Sequence, residues 1–511
     1  MYIETRQSNT EYAEMLSIEK NKCSNSVDKK KIGQFFTPTS VANLMAKMLV
    51  LRDEYKLLDP GSGTGILIAA LVDRIIEENI NVKLSVDLYE NDKEVLPYLE
   101  KCMEYCKNNL RKKGMSFEYQ VFNEDFILAN EFLFGDKFLN NIEPTKYDAV
   151  ISNPPYFKIS KSHKYSKLLH DYVHGQPNIY FMFMIVSEKL IKLGGQIVFI
   201  TPRSYCSGSY FQRFRSKFFE KIVPDCFHLF KSRNSIFKTE RVYQESIILS
   251  GFKTEEHSND IKISSSHSGI VNDDSCLLNV EKKTVMYDLL DKNMNLIRIP
   301  MNEEEVRILK VFDKWSNNLS KMDMGISTGP VVTFRNKESI ISYNPLDSYP
   351  LFYSRHIKDL EIKFPTINED LSKEKGIIFE ATKKLLLPAG NNYIIMKRIT
   401  TNEQKKRIEC APFIASNYGF KMIGLEDHLN YIYKINRSLT EEEVFGLIAF
   451  LNSNIVDRYF RTINGNTQVN AYDIKILPFP EYEFIVTLGS NIISKKTNYQ
   501  EVDSAILADY F

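Results

Sequence analysis

No apolar run in this 511-residue chain approaches the roughly 18 residues that a bilayer-spanning helix needs. The polar N-terminus also lacks the apolar core of a secretion signal. The expectation is a cytoplasmic protein with no membrane partner. The seven cysteines are scattered: Cys102 and Cys106 miss the C-x-x-C spacing, and no His/Cys group has the spacing of a zinc site. Reduced thiols and no bound metal are therefore expected. No internal repeat or low-complexity tract stands out. A net charge of +1 gives the whole molecule no field that would draw it to a polyanion.

The charge that is present is unevenly placed. Between Lys158 and Lys238 there are 14 Lys or Arg against 4 Asp or Glu, a local excess of +10. Phosphate contacts depend on such local concentration, because binding releases counterions from the stretch that is touched. Lys158, Lys161, Lys164, Lys167, Arg203, Arg213 and Arg215 are the candidate contacts; a merely solvated basic face is the alternative.

Length favours two large domains, and 43% apolar with 26% charged residues suits cores of ordinary size. A helical pattern at about residues 11–20 and a Lys-rich stretch form an N-terminal arm, residues 1–30. From 31 to 252, short apolar segments alternate with helical ones. Strands are expected at 56–59, 84–89, 149–152, 196–201 and 245–249, and helices at 40–51 and 66–78. This rhythm predicts an α/β fold with a mainly parallel sheet. Residues 253–290 turn polar, as a crossing between domains would. Residues 291–511 read as a second, mixed α+β domain with a long helix near 440–458.

Two segments carry chemistry. Asp59-Pro60-Gly61-Ser62-Gly63-Thr64-Gly65 follows a strand and opens a helix, so its glycines let the backbone turn tightly around a ligand. The G-x-G-x-G spacing departs from the dinucleotide fingerprint. Asp59 can accept from a ligand amine, and Glu90, at the end of the next strand, can hold ribose hydroxyls. The pattern suits S-adenosylmethionine; the alternative is a strand–turn–helix with no ligand. About ninety residues on, Asn153-Pro154-Pro155-Tyr156 ends another strand. The Asn153 side chain and the Pro154 carbonyl can take the two N–H bonds of a planar NH2 group. That would turn its lone pair toward a methyl donor, so catalysis would be positioning plus electrostatics. Pro155 helps freeze the turn, and Tyr156 offers a ring on which a base can stack.

With these residues in view, the chain resembles the class I S-adenosylmethionine-dependent methyltransferases, and within them the gamma-type N6-adenine DNA methyltransferases of bacterial restriction–modification systems. Gly33-Gln-Phe-Phe-Thr-Pro38 is similar to the family's leading motif, and the resemblance implies that Phe36, Thr37 and Pro38 contact the methionine part of the cofactor. It implies that Asp59 to Gly65 form the central cofactor loop, that Glu90 binds ribose, and that Asp125-Phe126 flank the cofactor adenine. Asn153 to Tyr156 match the catalytic tetrad. Phe237 falls where a second aromatic packs on the extruded base, with a plain core role as its alternative. The fold implied is a Rossmann-like, mainly parallel sheet with helices on both faces, followed by a target-recognition domain. A monomer, double-stranded DNA as partner and a companion restriction endonuclease acting on the same site are further implications.

Other readings stay open. The tetrad also serves methyltransferases of protein glutamine or RNA bases, and a specificity subunit without catalysis would share the C-terminal half. Glu361-Ile-Lys363 gives a nuclease-like triplet, which arises by chance in a chain this charged. Gly325 to Pro330 reads as a loop entering a strand at 331–335.

Overall fold

Helices covering both faces of a parallel sheet bury its inner strands entirely, so such strands read as unbroken apolar runs. Tyr147–Ser152 is such a run, buried at every residue. It is one of nine strands: β1 Glu54–Asp59, β2 Lys83–Tyr89, β3 Ser116–Phe122, β4 Tyr147–Ser152, β5 Ile191–Pro202, β6 Ile222–Phe230, β7 Ser246–Lys253, β8 Asp260–Ser266 and β9 Glu281–Met286. Their order in the sheet is β3-β2-β1-β4-β5-β7-β6-β8-β9. The pairs β1/β2, β2/β3, β1/β4 and β4/β5 are parallel. β7 runs antiparallel between β5 and β6. The chain order reverses direction between β1 and β4, the switch point at which α/β sheets open a ligand crevice beyond their strand ends.

The computed structural model describes residues 7–23, 37–135, 144–175, 177–230, 245–255, 260–266, 281–286, 290–291, 296–365, 374–380, 383–400, 404–465 and 467–508. They divide into two units, Met1–Met301 and Asn302–Phe511. The helices used below from the first unit are α1 Asn9–Cys23, α2 Thr39–Met48, α3 Ile66–Glu77, α4 Leu96–Arg111, α5 Lys164–Leu168, α6 Ile179–Leu190 and α7 Gln212–Phe218.

Two expectations about this unit are corrected. Within the expected N-terminal arm, residues 9–23 pack as part of the unit. α1 buries Ala13 and Leu16 in the same core as α2, α3 and α4. Asp73 of α3 accepts from the Asn9 and Thr10 backbone amides at 2.9 and 2.8 Å, which satisfies donors at the start of α1. The polar stretch expected as an interdomain crossing holds β8 and β9, and the unit boundary falls at Met301–Asn302. Its serines face a polar partner: His228 of β6 sits fully buried between Ser264 Oγ (Nδ1, 2.8 Å) and Ser266 Oγ (Nε2, 3.1 Å) of β8.

Burial pushes the His228 imidazole down to about 4. In the unfolded chain it titrates near 6.5. The folded value is the lower one, so the stability is complete above 6.5 and is lost as pH falls toward 4. The loss at pH 5 should be about 2 kcal/mol. Urea unfolding of wild type and His228→Gln at pH 7 and pH 5 checks it: the gap between the two proteins should change by about that amount. A gap that does not move with pH rejects the prediction.

The second unit has a four-stranded antiparallel sheet in the order Met324–Thr328, Leu429–Lys434, Tyr393–Lys397, Cys410–Phe413. A five-stranded mixed sheet runs Ile340–Ser342, Lys375–Ile378, Ser348–Phe352, Met422–Leu425, Leu386–Pro388. The strand near Gly325 is Met324–Thr328 itself, and residues 332–335 form a turn, the reverse of the expected order. The expected long helix is two, α8 Glu441–Leu451 and α9 Asn454–Ile463. Ser453 breaks them: its backbone is extended and its hydroxyl caps Val456 N–H at 3.2 Å. A further helix, α10 Tyr482–Ile493, packs on α8.

Candidate active site

The loop after β1 and the tetrad after β4 open onto one cavity at the switch point. Thr37, residues 60–64, Glu90, Asp125, Phe126, Asn153, Pro154 and Pro155 line it. Segments far apart in sequence thus converge, because β1 and β4 are neighbours in the sheet.

Within the loop, Gly65 turns the chain into α3 with φ +87°, and a Cβ there would lie 2.7 Å from Met103 Cε. Its part is to let the start of α3 approach α4, and it does not line the cavity. Thr64 is buried, with Oγ1 2.5 Å from Ser17 Oγ, which ties α1 to the loop. Glu90 Oε2 accepts from Gly63 N–H at 3.0 Å and Oε1 from Asp92 N–H at 2.8 Å. Burial raises the Glu90 carboxyl above its ordinary range, against the pull of those amides. Asp59 is fully buried beneath the loop. Burial, opposed by Gly61 N–H and reinforced by the Glu90 charge, pushes it up to about 8. Asp59 Oδ2 has no hydrogen-bond partner among the described residues.

That orphaned oxygen is the test of whether the site suits S-adenosylmethionine. Asp59 itself lies behind the cavity lining, next to Pro60; a buried carboxyl raised this far gains most from a nearby cation, and this cofactor carries an ammonium and a sulfonium. Glu90 offers a carboxylate to hydroxyls, and Ile66, Leu67, Phe126, Ile179 and Phe183 give apolar walls for a purine. The residues fit the group.

In the tetrad, Asn153 Nδ2 donates to Thr37 Oγ1 at 3.0 Å. Its Oδ1 accepts from the Tyr156 hydroxyl at 2.5 Å, and that hydroxyl also reaches Ile200 O at 2.9 Å. Burial, with Tyr180 adding to it, raises the Tyr156 phenol well above its usual value, so the hydroxyl stays a donor. The amide is held by both ends.

Phe36 and Phe237 lie outside the described residues. Pro38 caps the start of α2 and, like Tyr156, does not line the cavity. Lys158, Lys161, Lys164, Lys167 and Arg213 are exposed. Arg203 and Arg215 are not, which corrects their reading as DNA contacts. Arg203 is buried and pairs with Glu245 at 3.3 Å. Arg215 Nη1 donates to Tyr205 O and Gly208 O at 2.9 and 2.8 Å. A phosphate would have to unfold this region to reach either one. For Arg215 the pattern was available: Phe211, Phe214 and Phe218 mark the inner face of α7, and position 215 falls on it. Tyr89, Asn91, Asp92, Phe157, Tyr165, Ile179 and Phe183 line the cavity without having been singled out.

No helix among the described residues is long and apolar enough to cross a membrane. Comparison with known proteins agrees with the geometry. The family model described as Eco57I restriction-modification methylase matches residues 43–237. The chain is 34% identical over 483 residues to the type II methyltransferase M.BsuBI of Bacillus subtilis, with 93% of each chain covered. It is 30% identical over 482 residues to the type II methyltransferase M.PstI of Providencia stuartii, covering 94% of this chain and 92% of that one. The solved type IIL restriction-modification enzyme MmeI, in complex with DNA, shares the fold with a TM-score of 0.56 at 10% identity, covering 98% of this chain and 74% of that one. The chain belongs to the type II DNA methyltransferases of restriction–modification systems, site-specific enzymes that place the methyl group of S-adenosylmethionine on DNA.

Proposed function

We propose that the acceptor is the N6 amine of an adenine extruded from duplex DNA. The observation that carries this is Asn153, on the cavity wall beside Pro154, with its amide oriented by Thr37 and Tyr156. When bound, S-adenosylmethionine supplies an electrophilic methyl on its sulfonium. Asn153 Oδ1 and the Pro154 carbonyl accept the two N6 hydrogens, which opposes delocalisation of the nitrogen lone pair into the ring and aims it at that methyl. The residues are set before the substrate arrives, so little reorganisation accompanies reaction. Extrusion costs a few kcal/mol, and stacking on an aromatic ring, worth about 1–3 kcal/mol per base, offsets much of it; Tyr156 and Phe237 are the rings assigned to that task. Residues 302–511 serve as the target-recognition domain. The enzyme acts as a monomer and protects DNA from a companion endonuclease of the same specificity. Sequencing DNA from an expressing host with modified-base detection tests the reading; a modified cytosine, or no modified base, would overturn it.

The exposed Lys158, Lys161, Lys164 and Lys167 follow the tetrad directly and are assigned to phosphates. Replacing Lys161, Lys164 and Lys167 with alanine should reduce the slope of log affinity against log salt by about 2–3, near one unit per phosphate contact. An unchanged slope would remove this segment from the DNA interface.

A further inference from the structure

Tyr165 stands between the two binding functions. It lies on α5, within the basic segment, and also lines the cofactor cavity beside Glu124, Asp125 and Phe126. Its hydroxyl donates to Asp125 Oδ2. The other oxygen of Asp125 accepts from Ile127 N–H and Leu128 N–H, both at 3.1 Å, so the carboxylate is a fixed post. Burial and the Asp125 charge raise the Tyr165 phenol above its usual value, which keeps it a donor.

One lysine of the segment touches this ring. Lys164 is its neighbour in sequence, with Nζ 5.5 Å from the ring centroid, and His163 packs on it edge-on at 4.4 Å. Within the segment, Ser166 Oγ donates to Ser160 O at 2.8 Å. Both flanks are anchored: Ile159 N–H donates to Pro177 O and Ile179 N–H to Phe157 O, each at 2.9 Å. Between those anchors, the Tyr165–Asp125 bond fastens the basic segment to the cavity wall.

We propose that Tyr165 is a positioning residue that couples the two ligands, so that filling the cofactor cavity fixes the Lys158–Lys167 segment in its DNA-binding arrangement. A cofactor adenine beside Asp125 fills the space next to the Tyr165 ring and restricts its motion. The segment is then ordered before DNA arrives, and DNA binding no longer bears that ordering cost. Linkage makes the effect reciprocal: bound DNA strengthens cofactor binding by the same factor. The coupling rests on the assignment of the lysines to DNA given above.

The test measures duplex DNA affinity for the full chain with and without saturating S-adenosylhomocysteine. Wild type should bind DNA at least about five-fold more tightly with the cofactor product present, the lower end of ordinary coupling. Tyr165→Phe keeps the ring and loses the bond to Asp125. Its coupling factor should fall below about two. S-adenosylhomocysteine affinity with and without DNA should give the same factor in each protein. Wild-type coupling retained in Tyr165→Phe, or none in wild type, overturns the proposal. An unchanged salt slope in the triple lysine variant instead defeats the underlying assignment, so the two failures are distinguishable.

Discussion

Asn153→Ala is expected to fold, to bind S-adenosylmethionine within a few-fold of wild type, and to lose about 10³-fold or more in single-turnover methylation, roughly 4 kcal/mol of transition-state stabilisation. The reason lies in the two bonds that hold the amide. Thr37 and Tyr156 fix its plane, so Oδ1 presents an acceptor that need not be reoriented when the amine enters. Alanine removes the acceptor and leaves the Tyr156 hydroxyl with Ile200 O, so the loss falls on the chemical step while the wall stays closed. Tyr156→Phe separates orientation from acceptance. The acceptor remains but one of its two guides is gone, and a loss near ten-fold is the scale of a single hydrogen bond. Rapid-quench measurement of methyl transfer to duplex DNA gives both rates. An Asn153→Ala rate within ten-fold of wild type would show that the Asn side chain does not act on the amine.

The site was legible where its residues follow from backbone requirements. Glycines in a turn, an acid at a strand end and a proline-locked carbonyl each have a local cause, so the loop at 59–65, Glu90 and Asn153-Pro154-Pro155-Tyr156 stood out before any contact was known. The sheet was legible at β1, β2, β4, β5 and β7, where the strands carry apolar runs, and β3, mostly exposed or half-buried, was missed. What escaped depends on partners distant in sequence. β8 looks like a linker because its polar residues are satisfied by His228, which lies 36 residues upstream of Ser264. α1 looks like an arm because its core neighbours are on α3 and α4. Tyr165 has no local signal at all, since its role comes from Asp125, 40 residues away. The +10 stretch misled in a more instructive way: counting charge does not distinguish Arg213, which is exposed, from Arg215, which is buried two positions on and donates to backbone carbonyls.

The second large effect belongs to the crossing of α8 and α10. An ideal Cβ on Gly446 would lie 1.9 Å from Ile485 O, and one on Gly489 would lie 1.9 Å from Glu442 O. In both cases the obstacle is backbone, so no rotamer change relieves it. Alanine is the better helix former by about 1 kcal/mol, and on that ground alone either substitution would stabilise. The helices would have to separate instead, at an overpacking cost of about 1–3 kcal/mol and occasionally more. Separation also pulls on the ion cluster at the start of α8. There Glu443, buried completely, holds Lys434 at 2.9 Å and Arg437 at 2.6 Å and accepts from the Tyr482 hydroxyl of α10 at 2.8 Å. Gly446→Ala and Gly489→Ala should therefore each lower the unfolding free energy by roughly 2–3 kcal/mol. The double variant should lose less than the sum, because the first substitution already opens the crossing that the second needs. Urea titration of the four proteins measures this. Either single variant matching or exceeding wild type would mean that the helices have room to part, and that the glycines are not what sets their distance.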